Sequence, residues 1–170
     1  MSRFLALTLV STLALSSCAG FQPLYAQPDV VRNLAAIEVH APNGRTGYLM
    51  RQHLDDAFAK DHSVTPTYAM DISIGEARYP RGVRIDNVAT RYEYVLTASY
   101  ALRDIKSQAV AKQGQVRVEL TYDSADQPYA SIAAEQDGQE RAAGEAARQI
   151  QLDLAAWLAK RDTVAPKVPA

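Results

Sequence analysis

Three stretches between residues 70 and 122 alternate apolar and polar side chains, and this constrains the fold more than any other feature of the chain. Met70, Ile72 and Ile74 alternate with Asp71, Ser73 and Gly75. Tyr92, Tyr94, Leu96, Ala98, Tyr100 and Leu102 alternate with Arg91, Glu93, Thr97, Ser99 and Arg103. Val110, Gly114, Val116, Val118, Leu120 and Tyr122 form a third apolar row, opposite Gln113, Gln115, Arg117, Glu119 and Thr121. A strand turns successive side chains to opposite faces, so each segment has one apolar and one polar side. Strands of a buried parallel sheet would be apolar on both sides. The pattern therefore predicts an antiparallel sheet covered on one face only. The link around residues 104–108 is short enough for a hairpin. The link around residues 79–87 contains Pro80 and Gly82.

Two other segments carry a helical period. In residues 47–60, Leu49, Met50, Leu54, Ala57 and Phe58 recur at three- and four-residue steps, with Arg51, Asp55 and Asp56 on the other side. Residues 131–161 predict a long C-terminal helix whose apolar stripe is Ala143, Ala147, Ile150, Leu154, Trp157 and Leu158. Gly138 and Gly144 weaken its first half by about 1 kcal/mol each relative to Ala. Residues 34–40 predict a short first strand, ended by Pro42-Asn43-Gly44. The expected order is β-α-β-β-β-α. This makes an α+β two-layer sandwich, with two helices packed on one face of a four-stranded, mostly antiparallel sheet. The other sheet face is left to water or to a partner.

The N-terminus has a different character. Arg3 precedes an apolar run over residues 4–15, interrupted only by Thr8, Ser11 and Thr12; Ser16, Ser17 and then Cys18, the chain's single cysteine, follow. Spanning a bilayer takes about 20 apolar residues, so the run is too short for that and reads as an export signal. A cysteine directly after small residues resembles the bacterial lipobox, whose thiol receives a diacylglyceryl group and becomes the new N-terminus. The expected organisation is a signal peptide over residues 1–17, lipid attachment at Cys18, a tether over 18–33, one domain over 34–162 and a disordered tail over 163–170. Ala19 stands where inner-membrane lipoproteins carry Asp, so the resemblance implies the outer membrane of a Gram-negative cell. With Cys18 acylated no thiol remains to form a disulfide, and stability must come from packing.

Charge and motif content exclude several classes of function. Without residues 1–17 the chain has 17 basic and 19 acidic residues, a net charge of −2, too balanced for a general nucleic-acid binder. The charge is unevenly spread: residues 78–117 are net +5 and residues 119–162 net −5. His40, His53 and His62 have no second ligand at metal spacing and no catalytic triad around them, and the eight glycines are too scattered for a phosphate loop. Neither a metal nor a cofactor is expected, and the chain reads as a binding protein rather than an enzyme.

Gly20-Phe21-Gln22-Pro23-Leu24-Tyr25 follows the lipobox directly. Tyr100, Leu102 and Asp104 close a strand, and Ala134-Glu135 leads into the alanine-rich helix. Together with the element order, these features resemble the LPS-assembly lipoproteins of the LptE type from alphaproteobacteria. The resemblance implies a protein held inside the lumen of the LptD-type β-barrel of the LPS translocon, as plug and assembly partner. It also implies binding of lipopolysaccharide and assistance to its passage into the outer leaflet. Arg78, Arg81, Arg84 and Arg91 cluster around a hairpin tip, with Asp86 among them, and arginine forks match phosphate geometry. They are the expected contacts to lipid A phosphates, against the alternative that they are solvated loop charges. Tyr92, Tyr94 and Tyr100 are expected under the helices, and Tyr79 and Tyr129 against the barrel wall. Two other readings remain: an auxiliary lipoprotein of an ABC-type envelope lipid-transport system, and a structural envelope lipoprotein without ligand.

Overall fold

A computed structural model describes residues 28–86, 89–124 and 127–164. The expected signal peptide, Cys18 and Gly20-Phe21-Gln22-Pro23-Leu24-Tyr25 lie outside the described residues, as does the tail from residue 165.

The elements run α1 (Pro28–Ala35), β1 (Ile37–His40), α2 (Arg45–Ala57), β2 (Tyr68–Val83), β3 (Ala89–Asp104), β4 (Val110–Asp123) and α3 (Pro128–Val164). The sheet has four strands in the order β1-β2-β3-β4. β1 pairs parallel to β2, reached through the α2 crossover, while β2–β3 and β3–β4 are antiparallel hairpins. The expected α+β architecture is therefore present, with a short helix added in front. α1 takes residues 28–33 out of the expected tether. Pro28 occupies its first position, where no N–H is needed, and Asp29 lies in the first turn, where the helix dipole favours an anion. Val30 and Leu34, one turn apart, are both buried, so this segment is part of the domain. α3 begins three residues before the expected start and runs three residues past the expected end.

The helices cover one sheet face. Met70 and Ile72 from β2, and Tyr94, Leu96, Ala98, Tyr100 and Leu102 from β3, are buried there. They lie against Met50, Leu54 and Phe58 of α2 and Ile150, Leu154 and Leu158 of α3. At about 1.5–3 kcal/mol per fully buried large apolar side chain, this layer dominates the stability of a domain without disulfides.

One departure from strict alternation occurs at the start of β4. Leu102 pairs with Lys112 but Arg103 pairs with Val110, so a bulge inserts Ala111. The bulge flips the phase, and Val110, expected in the apolar row, is 48% exposed. Lys112, in phase with Gly114 and Val116 beyond the bulge, lies on the helix face, where its Nζ is 3.0 Å from Asp153 of α3. The hairpin turn before it is held by Asp104, whose Oδ1 accepts from the Lys106 and Ser107 backbone N–H groups and from Ser107 Oγ.

Candidate functional site: the hairpin tip and the open sheet face

The uncovered face of the sheet is polar. Cross-strand register aligns Asp71, Ala101 and Gln113 in one row and Ser73, Ser99 and Gln115 in the next. Small side chains here leave a shallow groove of about 710 Å³ over residues 71–73, 99–101 and 113–115. Gln115 Nε2 donates to Ser99 Oγ at 3.0 Å, and Arg103 donates to Asp71 at 3.1 Å beside it. The Arg103 bond and then the His40 contact hold the Asp71 carboxyl below its ordinary value. The alternation signalled that this face was wet, but the groove depends on which residues the register sets side by side.

The β2–β3 hairpin carries the four arginines singled out in the sequence. Arg81 and Arg91 are direct cross-strand partners on the open face, each with a side chain 57% exposed. Arg81 pairs with Glu93 at 2.7 Å and Arg91 with Asp123 at 2.8 Å. Arg84 lies in the turn, 3.4 Å from Asp86. Next to it Ile85 is fully exposed and Val83 is 54% exposed, so the tip is apolar as well as cationic. The structure thus brings Arg81, Arg84 and Arg91 to one end of the molecule.

Arg78 is set apart from them. It falls in the even-numbered row with Met70, Ile72 and Ile74 and so points to the helix side. There its guanidinium lies 4.8 Å from the Tyr92 ring centroid and pairs with Glu135 of α3. Tyr92 stacks on Tyr122 at 5.7 Å, so Arg78 caps an aromatic pair between sheet and helix. Tyr79 and Tyr129 are 48% and 88% exposed, as surface contacts would require.

Further polar links join the helices to the sheet and to each other, and one strand to the next. The Tyr100 hydroxyl donates to Asp153, which also pairs with Lys112. Burial first, and then the bond to Asp153, push the Tyr100 phenol above its ordinary value. Burial is also the largest influence on Asp153 and opposes its ionisation; the Tyr100 hydroxyl and the Lys112 ammonium outweigh it and lower the carboxyl. The Tyr94 hydroxyl donates to Glu76 at 2.6 Å, and His53 Nε2 lies 3.1 Å from Glu140, which ties α2 to α3. His53 thus has a carboxylate partner that sequence spacing did not reveal, 87 residues away.

The sequence-level charge asymmetry does not survive folding. Acids of the C-terminal half reach back to the basic half: Glu135 to Arg78, Asp153 to Lys112, Asp123 to Arg91 and Glu119 to Arg117. Among the described residues, no group of three or more His, Cys, Asp or Glu side chains could hold a metal ion, and no helix is long and apolar enough to cross a membrane.

The family model described as LptE, lipopolysaccharide-assembly, matches residues 34–154, most of the chain. The chain belongs to the LptE family. A crystal structure of a proposed lipoprotein from Caulobacter crescentus is 52% identical, covers 83% of this chain and 98% of its own, and superposes with a TM-score of 0.68. The rare lipoprotein B of Shewanella oneidensis shares the fold at 10% identity, with a TM-score of 0.56 over 74% of this chain and 96% of its own. Lipoprotein B of Nitrosomonas europaea does so at 16% identity, with a TM-score of 0.53 over 72% of this chain and 83% of its own. No curated protein matches the chain. The LptE match begins at Leu34 and ends at Leu154, so it includes every element from β1 to β4 and most of α3.

Proposed function

We propose that the protein is exported, trimmed to Cys18 and acylated there. It then sits at the outer membrane as the lipoprotein partner and plug of an LptD-type β-barrel, where it binds lipopolysaccharide during its assembly into the outer leaflet. Membership of the LptE family supports the process, and the hairpin tip supports the ligand. The observation that carries the ligand reading is the pairing of Arg81 with Arg91 across the hairpin, with Arg84 and the exposed Ile85 just beyond. Phosphate accepts two parallel N–H bonds from one guanidinium, and acyl chains require apolar contact, so this tip presents both chemistries of an anionic amphiphile. Residues 1–17 act as the signal, residues 18–27 as the tether, and α1 docks that tether onto the domain. The work is binding and transfer, without bond-making chemistry. Tyr79 and Tyr129 face the barrel wall.

The test is a lipopolysaccharide titration of the purified chain. A triple Arg81→Ala, Arg84→Ala, Arg91→Ala variant should bind at least about tenfold more weakly, since each lost charge-assisted bond is worth about 1.5–3 kcal/mol before solvent screening. Its Tm should stay near that of the parent. Arg78→Ala should do the reverse, lowering Tm through the lost aromatic cap and leaving affinity close to the parent's. Unchanged binding in the triple variant would remove the arginines from the ligand site. A tagged chain that recovers no large β-barrel from solubilised envelopes would remove the barrel as partner.

A further inference from the structure

The loop between β1 and α2 holds the chain's single Asn-Gly pair, Asn43-Gly44. The other asparagines, Asn33 and Asn87, precede Leu34 and Val88. An asparagine side chain is open to attack by the next backbone nitrogen when that residue is glycine, because no side chain stands in the way. The fold also requires glycine here. Gly44 has a φ of +119°, where a residue with a Cβ is strained.

Three features leave the pair reactive. Asn43 and Gly44 are both exposed, so base reaches the Gly44 N–H and water reaches the side chain. Neither the Gly44 N–H nor the Asn43 side chain has a hydrogen-bond partner among the described residues. The surroundings are electropositive. Gly44 caps the N-terminus of α2, whose first turn holds Arg45 and no acid, and Arg51 lines the same small pocket as Asn43. The positive end of the helix and these guanidiniums favour the anions that form along the reaction. Asp137-Gly138 is the contrasting pair: it lies inside α3 with Gly138 buried, and the helix ladder holds the Gly138 N–H.

We infer that Asn43 is a site of spontaneous deamidation, which turns a neutral loop into an anionic start for α2. The Gly44 N–H loses its proton to solvent base, and the nitrogen attacks Asn43 Cγ. The new N–Cγ bond forms as the Cγ–NH2 bond breaks, and the leaving nitrogen takes a proton from water and departs as ammonia. Water then opens the five-membered imide. Cleavage of the new N–Cγ bond gives aspartate; cleavage of the original peptide C–N bond gives isoaspartate. One water is consumed, one ammonia is released, nothing is oxidised or reduced, and the chain gains one negative charge. Aspartate sets its carboxylate beside the helix dipole. Isoaspartate adds a methylene to the backbone where there is no slack, since Pro42 O lies 1.9 Å from where a Cβ on Gly47 would stand. The inference is independent of the lipopolysaccharide reading.

The test holds the full chain, purified in detergent and verified as folded by circular dichroism, at alkaline and at mildly acidic pH. Peptide mass spectrometry then follows the mass gain of replacing NH2 by OH. The tryptic peptide 33–45 contains both Asn33 and Asn43, so it carries its own control. Asn43 should convert, faster at alkaline pH, while Asn33 and Asn87 stay intact, and Asn43→Gln should abolish the change. Asn43→Asp, which supplies the carboxylate without the isomer, should have a Tm at or above the parent's. An Asn43 that stays intact in the folded chain while a urea-unfolded sample converts would overturn the inference. So would conversion of Asn33 or Asn87 at the same rate, a rate independent of pH, or a lower Tm for Asn43→Asp.

Discussion

Gly114 is the residue whose replacement most directly tests how the two layers are joined. In register it lies opposite Tyr100, and the phenol ring lies flat over it: a Cβ on residue 114 would stand 2.6 Å from Tyr100 Oη and 2.7 Å from Cζ. Ordinary carbon contacts begin at about 3.5 Å, so Gly114→Ala must lift the ring by about 1 Å. The ring has little room to move, being 3% exposed with its hydroxyl bonded to Asp153. Overpacking of this kind costs about 1–3 kcal/mol. Loosening a bond to a charged acceptor adds about 1.5–3 kcal/mol if it is lost. The lower entropy of an unfolded chain with Ala in place of Gly returns about 0.5–1 kcal/mol. The expected net loss is about 2–4 kcal/mol, a fall in Tm of roughly 5–15 °C for a domain of this size.

The measurement is thermal and urea unfolding of the purified chain, with two comparisons that isolate the cause. Gly75 lies in the same sheet, but a Cβ there meets nothing nearer than Thr97 O at 4.0 Å, so Gly75→Ala should keep the entropic gain without a packing cost and raise stability by up to about 1 kcal/mol. In a Tyr100→Ala background Gly114→Ala should lose its penalty, giving a coupling energy of about 2 kcal/mol or more between the two sites. If Gly114→Ala is as stable as the parent, or is equally harmful without the Tyr100 ring, the packing argument is refuted.

Two further outcomes follow from other contacts. Gly144→Ala should stabilise the chain by about 0.5–1 kcal/mol, because it removes a helix-interior glycine. Its new Cβ would meet the His53 ring at an ordinary 3.6 Å; a lower Tm for this variant would refute the expectation. Asp153 has a folded pKa below its ordinary value, so its contribution is complete at neutral pH and is lost as pH falls through that lowered value. Asp153→Asn should therefore be less stable than the parent at pH 7, with the gap closing below the ordinary carboxylate range; a gap independent of pH would refute the assignment.

How much of this was legible in the sequence differs by residue. Alternation located β2, β3 and β4 and placed Tyr94 and Tyr100 under the helices, because one face of the sheet is dry and the other wet; Tyr68, also buried, lies before the alternating run. Arg78 was legible too, since it continues the even-numbered row of Met70, Ile72 and Ile74; grouping it with the other arginines by proximity in sequence overlooked the face. α1 escaped because eight residues hold only one full apolar repeat, Val30 to Leu34, and prolines at 23 and 28 read as a linker. The bulge at Ala111 has no local signal, and it alone decides that Val110 is exposed; Lys112 faces the helices because it continues the even-numbered row of Gly114 and Val116. The ion pairs were illegible for a stronger reason: Arg91 finds Asp123 and Lys112 finds Asp153 only once strand register and helix position are set.

Those ion pairs also change how the tip must work. A run of arginines with net +5 around it suggests a cationic surface awaiting an anion, yet each of the four pairs with a carboxylate in the fold. An anionic ligand at the tip, as proposed above, would therefore exchange partners instead of filling a vacancy. The exchange is cheap for Arg81 and Arg91, whose pairs are more than half exposed on the arginine side and so worth at most about 1 kcal/mol each. It is costly for Arg78, which would also give up the Tyr92 ring and the link to α3. Contacts rather than exposure thus separate Arg78 from the other three: its side chain is 46% exposed against 49% for Arg84, but it alone lies on an aromatic ring and bonds to α3. Under the proposed function, the carboxylates hold the Arg81 and Arg91 guanidiniums on the open face, and a bidentate phosphate would replace them without rebuilding the fold.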